Sequence, residues 1–387
     1  DRIHELINRT NQLNFTKVRL PEDRAAARAE MERLLTTEHD RHSGYVKVAD
    51  RYGYYGIVGF YMVKGPAMVH FTLSCRTLNM GIEQFVYERL KRPWMKVAGE
   101  VVSDPFSATG IDWIRVTDDA ERAAEGVPAQ AVSICIRGGC ELAQSSHYLR
   151  QRFTVIEEMP FPQDGWGISP PLTQYATALR DMGNPVNRAL LGSFPGLHAA
   201  CFDNAAFNHN ADVYVLSFTQ ESFVGTYRFK PTGLVIPLMI GRGTADLDIT
   251  ALTHAEITEK SNFRCDPQWW DWFCANFERL GGFDPERFAD NLRTLFTHLV
   301  GKRVVIVQGN TRHGKFVGIN RKNAAVNKVV ARTVAHLAAR VIEVDDLIRD
   351  DAEVVQMNHF RREVYMRLAT EIGVLIEGAR SKEQQAA

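Results

Sequence analysis

The chain is 387 residues long and 45% hydrophobic, enough for two or three cores. Its 46 Lys and Arg balance 46 Asp and Glu, so no long-range field favours nucleic acid or an anionic membrane as a partner. No run of about 18 apolar residues and no signal-peptide pattern occurs, and the six cysteines (75, 135, 140, 201, 265 and 274) show neither metal-ligand spacing nor a disulfide framework. The expected setting is reducing and cytoplasmic, with no metal.

In chain order, Glu22–His42 reads as a charged amphipathic helix, and Tyr45–Val63 and Met68–Cys75 as strands. Gly81–Leu90 then puts Ile82, Phe85, Val86 and Leu90 on one face of a helix. The joining turn, Arg76 to Gly81, is similar to the Arg/Gln-x-x-Gly-x-Gly/Ala turn whose amides meet the pyrophosphate of CoA in GNAT proteins, with Asn79 in place of the first Gly as a left-handed position tolerates; the plain alternative is a strand-to-helix corner. Tyr52, Tyr54 and Tyr55 read as packing residues. A polar stretch, Thr117–Gln130 with Gly126 and Pro128, marks the boundary between a domain over 1–118 and a second over 129–387.

Beyond the boundary, strands are predicted at Ala131–Ile136, Phe153–Glu157, Asp212–Phe218, Arg303–Gln308 and Val341–Val344, separated by helical patterns. That alternation predicts an α/β fold, a parallel sheet flanked by helices. Met159–Gly196, rich in Pro and Gly, is expected to be an irregular excursion of the lid type with a short helix near Leu172–Arg180. Cys265–Phe277 gathers Trp269, Trp270 and Trp272 on a helix, either to close a core or to offer a platform to a sugar or a pantetheine chain. Gln308–Asn327 reads as a loop at a strand's C-terminal end carrying Arg312, His313, Lys315, Arg321 and Lys322, suited to phosphate or simply to water.

Two places carry chemistry. After the apolar run Val132, Ile134, Ile136, the pair Gly138-Gly139 makes a turn and puts Cys140 at the start of a helix. There a thiolate is stabilised by the helix dipole, and free amides can hold an oxyanion; the plain alternative is a small buried hydrophobe. Near the C-terminus a strand and an acidic loop lead to His359, followed by a helix whose Phe360, Val364, Leu368, Ile372 and Ile376 recur every four residues. A thiol and an imidazole so placed can meet in space as a nucleophile and its base.

This order of blocks resembles the SGNH (GDSL-like) hydrolase family, with Gly138-Gly139-Cys140 at the nucleophile block and His359 at the closing His. Cys replaces the family's Ser, and Gln356 stands three residues before the His where the family has Asp; Asp351 or Glu353 then becomes the orienting acid, unless a Cys/His dyad suffices. The family's oxyanion Asn block is missing, since the chain reads Ser217-Phe218-Thr219-Gln220 there; Asn310 is a further candidate donor, and His209 and His313 are secondary candidates for the base. The Cys form also resembles capsular-polysaccharide acetyltransferases with a Gly-Asn-Cys-Gln block. Residues 1 to about 115, through the blocks Arg2–Leu20, Asp50–Val63 and Phe71–Leu90, resemble the GNAT-like C-terminal part of FkbH-like proteins; the phosphatase-like domain of those proteins is absent from this chain.

The resemblances imply a GNAT-like α+β domain followed by an SGNH-like three-layer α/β/α domain. They also imply an acyltransferase: Cys140 attacks an acyl thioester, His359 moves the proton, and a small-molecule or sugar acceptor takes the acyl group. Its donor would be acyl-CoA or an acyl carrier protein, with the CoA or phosphopantetheine near Arg76, Asn79, Gly81 and Arg312 and nothing bound permanently. Alternatives are a thioesterase or esterase, chemistry in the GNAT-like part alone, and a non-catalytic carrier-protein docking module.

Overall fold

The computed structural model describes residues 2–10, 12–21, 23–36, 41–50, 53–107, 110–118, 132–158, 172–194, 202, 211–238, 246–260, 265–337, 339–356 and 358–386. Most of the predicted boundary stretch, His209 and residues 159–171 and 195–196 of the Met159–Gly196 excursion lie outside them, and the described remainder holds two helices rather than an irregular run.

The N-terminal part holds helices α1 (Arg2–Arg9) and α2 (Arg24–Thr36) and an antiparallel sheet of β1 (Arg41–Asp50), β2 (Gly53–Lys64) and β3 (Ala67–Leu73), followed by α3 (Ile82–Arg89). The helix predicted over Glu22–His42 is thus shorter, and His42 belongs to a strand. What reads as one strand over Tyr45–Val63 is two, paired from Arg41 with Lys64 to Asp50 with Gly53. Leu13, Phe15, Val58, Phe71, Leu73 and Leu78 form the core beneath this sheet, with Phe15 stacked on Phe71 at 5.1 Å. Each such buried aliphatic or aromatic side chain contributes about 1.5–3 kcal/mol.

The second part is mixed α/β around a five-stranded parallel sheet of β4 (Ser133–Arg137), β5 (Thr154–Glu158), β6 (Val213–Ser217), β10 (Arg303–Val307) and β11 (Ala339–Ile342), in the order β11-β10-β6-β4-β5. Central strands buried on both faces need apolar residues at every position, which is why VYVLS and RVVIV are readable as strands. Val213 and Val215 face a layer made by α4 (Cys140–Leu149) and the C-terminal helix α11 (Arg362–Ala386), whereas Tyr214 and Leu216 face α9 (Pro285–His298) and α10 (Val317–Val334). α10 begins inside the stretch read as a loop over Gln308–Asn327, so Arg321 and Lys322 ride on a helix.

Helices α5 (Leu172–Asp181), α6 (Pro185–Ser193), α7 (His254–Lys260) and α8 (Pro267–Asn276) accompany a second antiparallel sheet, ordered β8-β7-β9 from β7 (Gly225–Phe229), β8 (Val235–Leu238) and β9 (Phe277–Gly281). No pattern in the sequence predicts this sheet. Its core takes the tryptophan helix: Trp270 is fully buried, Trp269 stacks on Phe273 at 5.5 Å, and Trp272 is partly exposed. A final hairpin, β12 (Val354–Gln356) with β13 (His359–Phe360), precedes α11.

Candidate functional site at the sheet's switch point

Chain order and strand order together locate the site. From β4 the chain runs outward to β5 and then crosses back to β6 on the other side of β4. Loops leaving β4 and β6 therefore part in opposite directions and open a crevice at their C-terminal ends, where ligands of parallel sheets bind.

The loop after β4 is Gly138-Gly139, and Gly139 caps α4 in an extended conformation (φ −99°, ψ −156°). Cys140 is the first residue of that helix; its side chain lies outside the described residues. Glu141 follows, 1% exposed, and its Oε1 accepts from Ser217 Oγ (2.5 Å), Thr219 Oγ1 (3.0 Å) and the Gly139 amide (3.0 Å). A carboxylate in the first turn complements the dipole, and here it also ties the β4 loop to the β6 loop. Its Oε2 is buried without a hydrogen-bond partner. That oxygen and Gln220 Nε2 converge on the backbone before Cys140, 2.5 and 2.8 Å from where a Cβ on Gly139 would sit.

The loop after β10 adds a buried amide cluster. Asn323 Nδ2 donates to the Asn310 carbonyl (2.7 Å) and to Asn358 Oδ1 (3.0 Å), which ties α10 to the residue before His359. Asn310 Oδ1 accepts from the Arg312 amide at 2.9 Å, shaping this turn. His313 Nδ1 accepts from the Lys315 amide at 3.1 Å. Its neutral ring therefore holds its proton on Nε2, the form of a donor rather than of a base.

His359 is 6% exposed and lies in β13, against which α4 packs. Cys140 and His359 thus belong to two elements in contact. The two acids considered for orienting His359 are taken elsewhere. Asp351 is largely exposed and pairs with Arg312 at 2.9 Å, and Arg312 also donates to the Ile348 carbonyl at 2.7 Å. Glu353 pairs with Arg367, and that hydrogen bond holds its carboxyl below the usual range. The ring of His359 instead meets Gln12, whose Nε2 is 3.4 Å from Nδ1.

The residues considered for CoA divide. Asn79 and Gly81 line an open groove of about 2080 Å³ between β1, the start of α3, the 103–118 segment and the chain around Arg361; neither Cys140 nor His359 is in its lining. Gly81 has φ +79°, and a Cβ there would come within 2.8 Å of Ile111 and 3.0 Å of Trp113, so the chain's own 111–118 segment lies on this turn. Trp113 Nε1 donates to the Met80 carbonyl at 3.1 Å. Arg76 and Arg312 are outside that lining; Arg76 is bound by Glu157 at 2.8 Å.

That ion pair belongs to a polar seam joining the N-terminal sheet to the parallel-sheet part. Burial pushes the Glu157 carboxyl up, but Arg76, Arg150 and Ser146 hold it below the usual range. Asp50 pairs with Arg362, Arg362 donates to the Tyr148 hydroxyl at 3.0 Å, and Tyr55 donates to Asp50 at 3.1 Å. Tyr55 also stacks on His147 with centroids 3.5 Å apart. Gln144, one turn along α4 from Cys140, donates to the Cys75 carbonyl at 3.0 Å, and Asn79 Nδ2 lies 3.5 Å from the Phe360 carbonyl.

Cys75, Cys135, Cys265 and Cys274 are free, and burial pushes their thiols up, to about 11 for Cys75 and about 12 for Cys135. Thiols raised in this way are inert as nucleophiles at neutral pH. Among the described residues no cluster of His, Cys, Asp or Glu is arranged to hold a metal ion, and no helix is long and apolar enough to cross a membrane.

Set against protein-family models, curated proteins and solved structures, the chain gives no match in any of the three.

Proposed function

We propose that the chain is an acyltransferase working through an acyl-enzyme on Cys140, with His359 as the base and acyl-CoA or an acyl carrier protein as the donor. One observation carries this reading: the helix that starts at Cys140, at the switch point of a parallel sheet, packs against the short strand that holds a buried His359. On this reading the second part is SGNH-like, which its strand order supports, and the N-terminal part is GNAT-like.

The chemistry follows from the residue types. His359 takes the Cys140 proton, and the thiolate attacks the carbonyl carbon of the donor thioester. Gln220 Nε2 and the first amides of α4 are the donors available to the developing oxyanion. The donor's C–S bond breaks, its thiolate takes the proton from His359, and the acyl group stays on Cys140. An alcohol or amine acceptor then attacks this new thioester, gives its proton to His359, and releases the Cys140 thiolate. Thioester exchange suits Cys because attacking and leaving groups are alike in basicity. The donor's pantetheine arm is assigned to the groove beside Asn79 and Gly81, which runs on to Arg361 next to the His359 hairpin.

A docking module without chemistry is the second reading, favoured by Asp351 and Glu353 both being held by arginines. Intact mass separates the two. After incubation with a panel of acyl-CoAs and acyl-loaded carrier proteins, the wild-type chain is expected to gain an acyl-sized, hydroxylamine-labile mass that Cys140→Ala does not gain. Carrier binding with no adduct would favour the docking module.

A further inference from the structure

The base proposed for the thiol has no carboxylate beside it in sequence where one is expected, and the structure offers an amide instead. Gln12 and His359 are 347 positions apart, yet Gln12 Nε2 lies 3.4 Å from His359 Nδ1. Gln12 is held from several sides. Its carbonyl accepts from the Val102 amide at 3.2 Å, and its neighbours Leu13 and Asn14 are fully buried. Its Oε1 accepts the Cys75 thiol at 3.8 Å, and the Cys75 carbonyl in turn accepts from Gln144 of the helix that begins with Cys140. A short path of contacts therefore leads from His359 through Gln12 and Cys75 back to the nucleophile's helix.

We propose that Gln12 is the positioning residue for His359, so that the N-terminal part completes the catalytic centre as well as serving the donor. The inference rests on the Cys140–His359 reading. For His359 to take a thiol proton on Nε2, its neutral ring must carry the other proton on Nδ1, and an acceptor at Nδ1 selects that tautomer. Gln12 presents such an acceptor after a half-turn of its amide, which exchanges Oε1 and Nε2. The exchange turns Oε1 away from the Cys75 thiol, which is a weak donor. The same oxygen then steadies the imidazolium formed when the thiol is deprotonated. An amide does this with less force than a carboxylate, but a thiol nucleophile asks less of its base than a hydroxyl does, and Cys–His–amide sets are a recognised variant of the triad.

The test uses the full chain, with acetyl-N-acetylcysteamine as a small thioester and iodoacetamide as an alkylating probe, both followed by mass at Cys140. Gln12→Leu is expected to slow acyl loading and alkylation about 10- to 100-fold, the range seen on losing a partner that orients a functional imidazole, with the thioester concentration giving half-maximal rate unchanged. Gln12→Glu, which keeps an acceptor oxygen, is expected to restore most of the rate. Wild-type loading in Gln12→Leu, or a Gln12→Glu as slow as Gln12→Leu, overturns the inference. If the wild-type chain forms no Cys140 adduct, the acyl-enzyme reading fails first, and equal alkylation rates in wild type and Gln12→Leu would then dismiss Gln12 as well. Gln12→Met replaces Gln12→Leu if the latter lowers the melting temperature.

Discussion

Acid should loosen the seam between the two parts of the chain, and the group responsible is His147. This imidazole is 6% exposed and lies between Tyr55, stacked at 3.5 Å, and Tyr148, met edge-on at 5.8 Å. Burial lowers its pKa from the ordinary 6.5 to about 4, with Arg76 and Arg150 acting in the same direction against Asp50 and Glu157. Between these two values the unfolded chain binds a proton at His147 and the folded chain does not. Stability from this residue is therefore complete above pH 6.5 and is lost as the pH falls toward 4. At pH 5 the loss is about 2 kcal/mol, approaching roughly 3 kcal/mol near pH 4. His147→Phe keeps a flat ring against Tyr55 and cannot be protonated. Urea unfolding of both chains at pH 7.5 and pH 5 should show the variant gaining about 2 kcal/mol on wild type over that interval. A difference between the two chains that does not change with pH would refute the reasoning. Because His147 sits on the seam, amide protection factors in β2, taken against the intrinsic exchange rate at each pH, should also fall at pH 5 in the wild type only.

Three further outcomes follow from single contacts. Gly81→Val forces a β-branched residue to φ +79° and drives its Cβ to within 2.8 Å of Ile111; it should cost about 2–4 kcal/mol, read as a lower melting temperature. Arg362→Met removes the arginine paired with Asp50 and the donor to Tyr148, while Tyr55 still donates to Asp50; a loss of about 1–3 kcal/mol, with faster proteolysis near the seam, is expected. Asp351→Ala breaks an exposed pair with Arg312 and should cost less than about 1 kcal/mol by chemical denaturation.

The parts of the fold legible in the sequence were those whose signal is local. The inner strands Val213–Ser217 and Arg303–Val307 are apolar at nearly every position because helices cover both faces, and no polar face interrupts them. The four-residue repeat from Phe360 to Ile376 marks the buried face of α11 for the same reason. The sheet of β7, β8 and β9 is short, and its pairing joins Phe229 to Phe277; strands this brief, matched across nearly fifty residues, leave no periodic trace. The single strand read over Tyr45–Val63 fails because a Gly- and Tyr-rich run stays compatible with strand on both sides of the turn. Sequence nearness singled out Asp351 and Glu353 as partners of His359, yet arginines after β10 and in α11 hold them. Nothing in the sequence around Gln12 points to His359, since a single amide has no spacing to read, whereas Gln220 falls in the stretch where an oxyanion block was sought and no Asn was found.

The charges of the N-terminal part bear on how its groove would serve the proposed Cys140 site. If Arg76 were a free phosphate ligand, its guanidinium would face the groove; it is engaged by Glu157, while Asp50 engages Arg362 two residues after Phe360. Both pairs cross between the three-stranded sheet and the parallel-sheet part, and both lie on elements that flank His359 or the Cys140 helix. Losing one partner of a partly buried pair weakens the hold on a charge already withdrawn from water, which costs more than the intact pair contributes, so the seam resists sliding more than it adds stability. Rigid registry of that kind is what an amide at residue 12 needs in order to meet an imidazole at residue 359: a drift of 1 Å would take a 3.4 Å contact out of hydrogen-bond range. It follows that seam variants such as Arg362→Met should lower Cys140 reactivity as well as stability, and by more than the unfolded fraction accounts for. Equal loss of both, measured by iodoacetamide labelling of the folded fraction, would mean that the two parts merely adjoin.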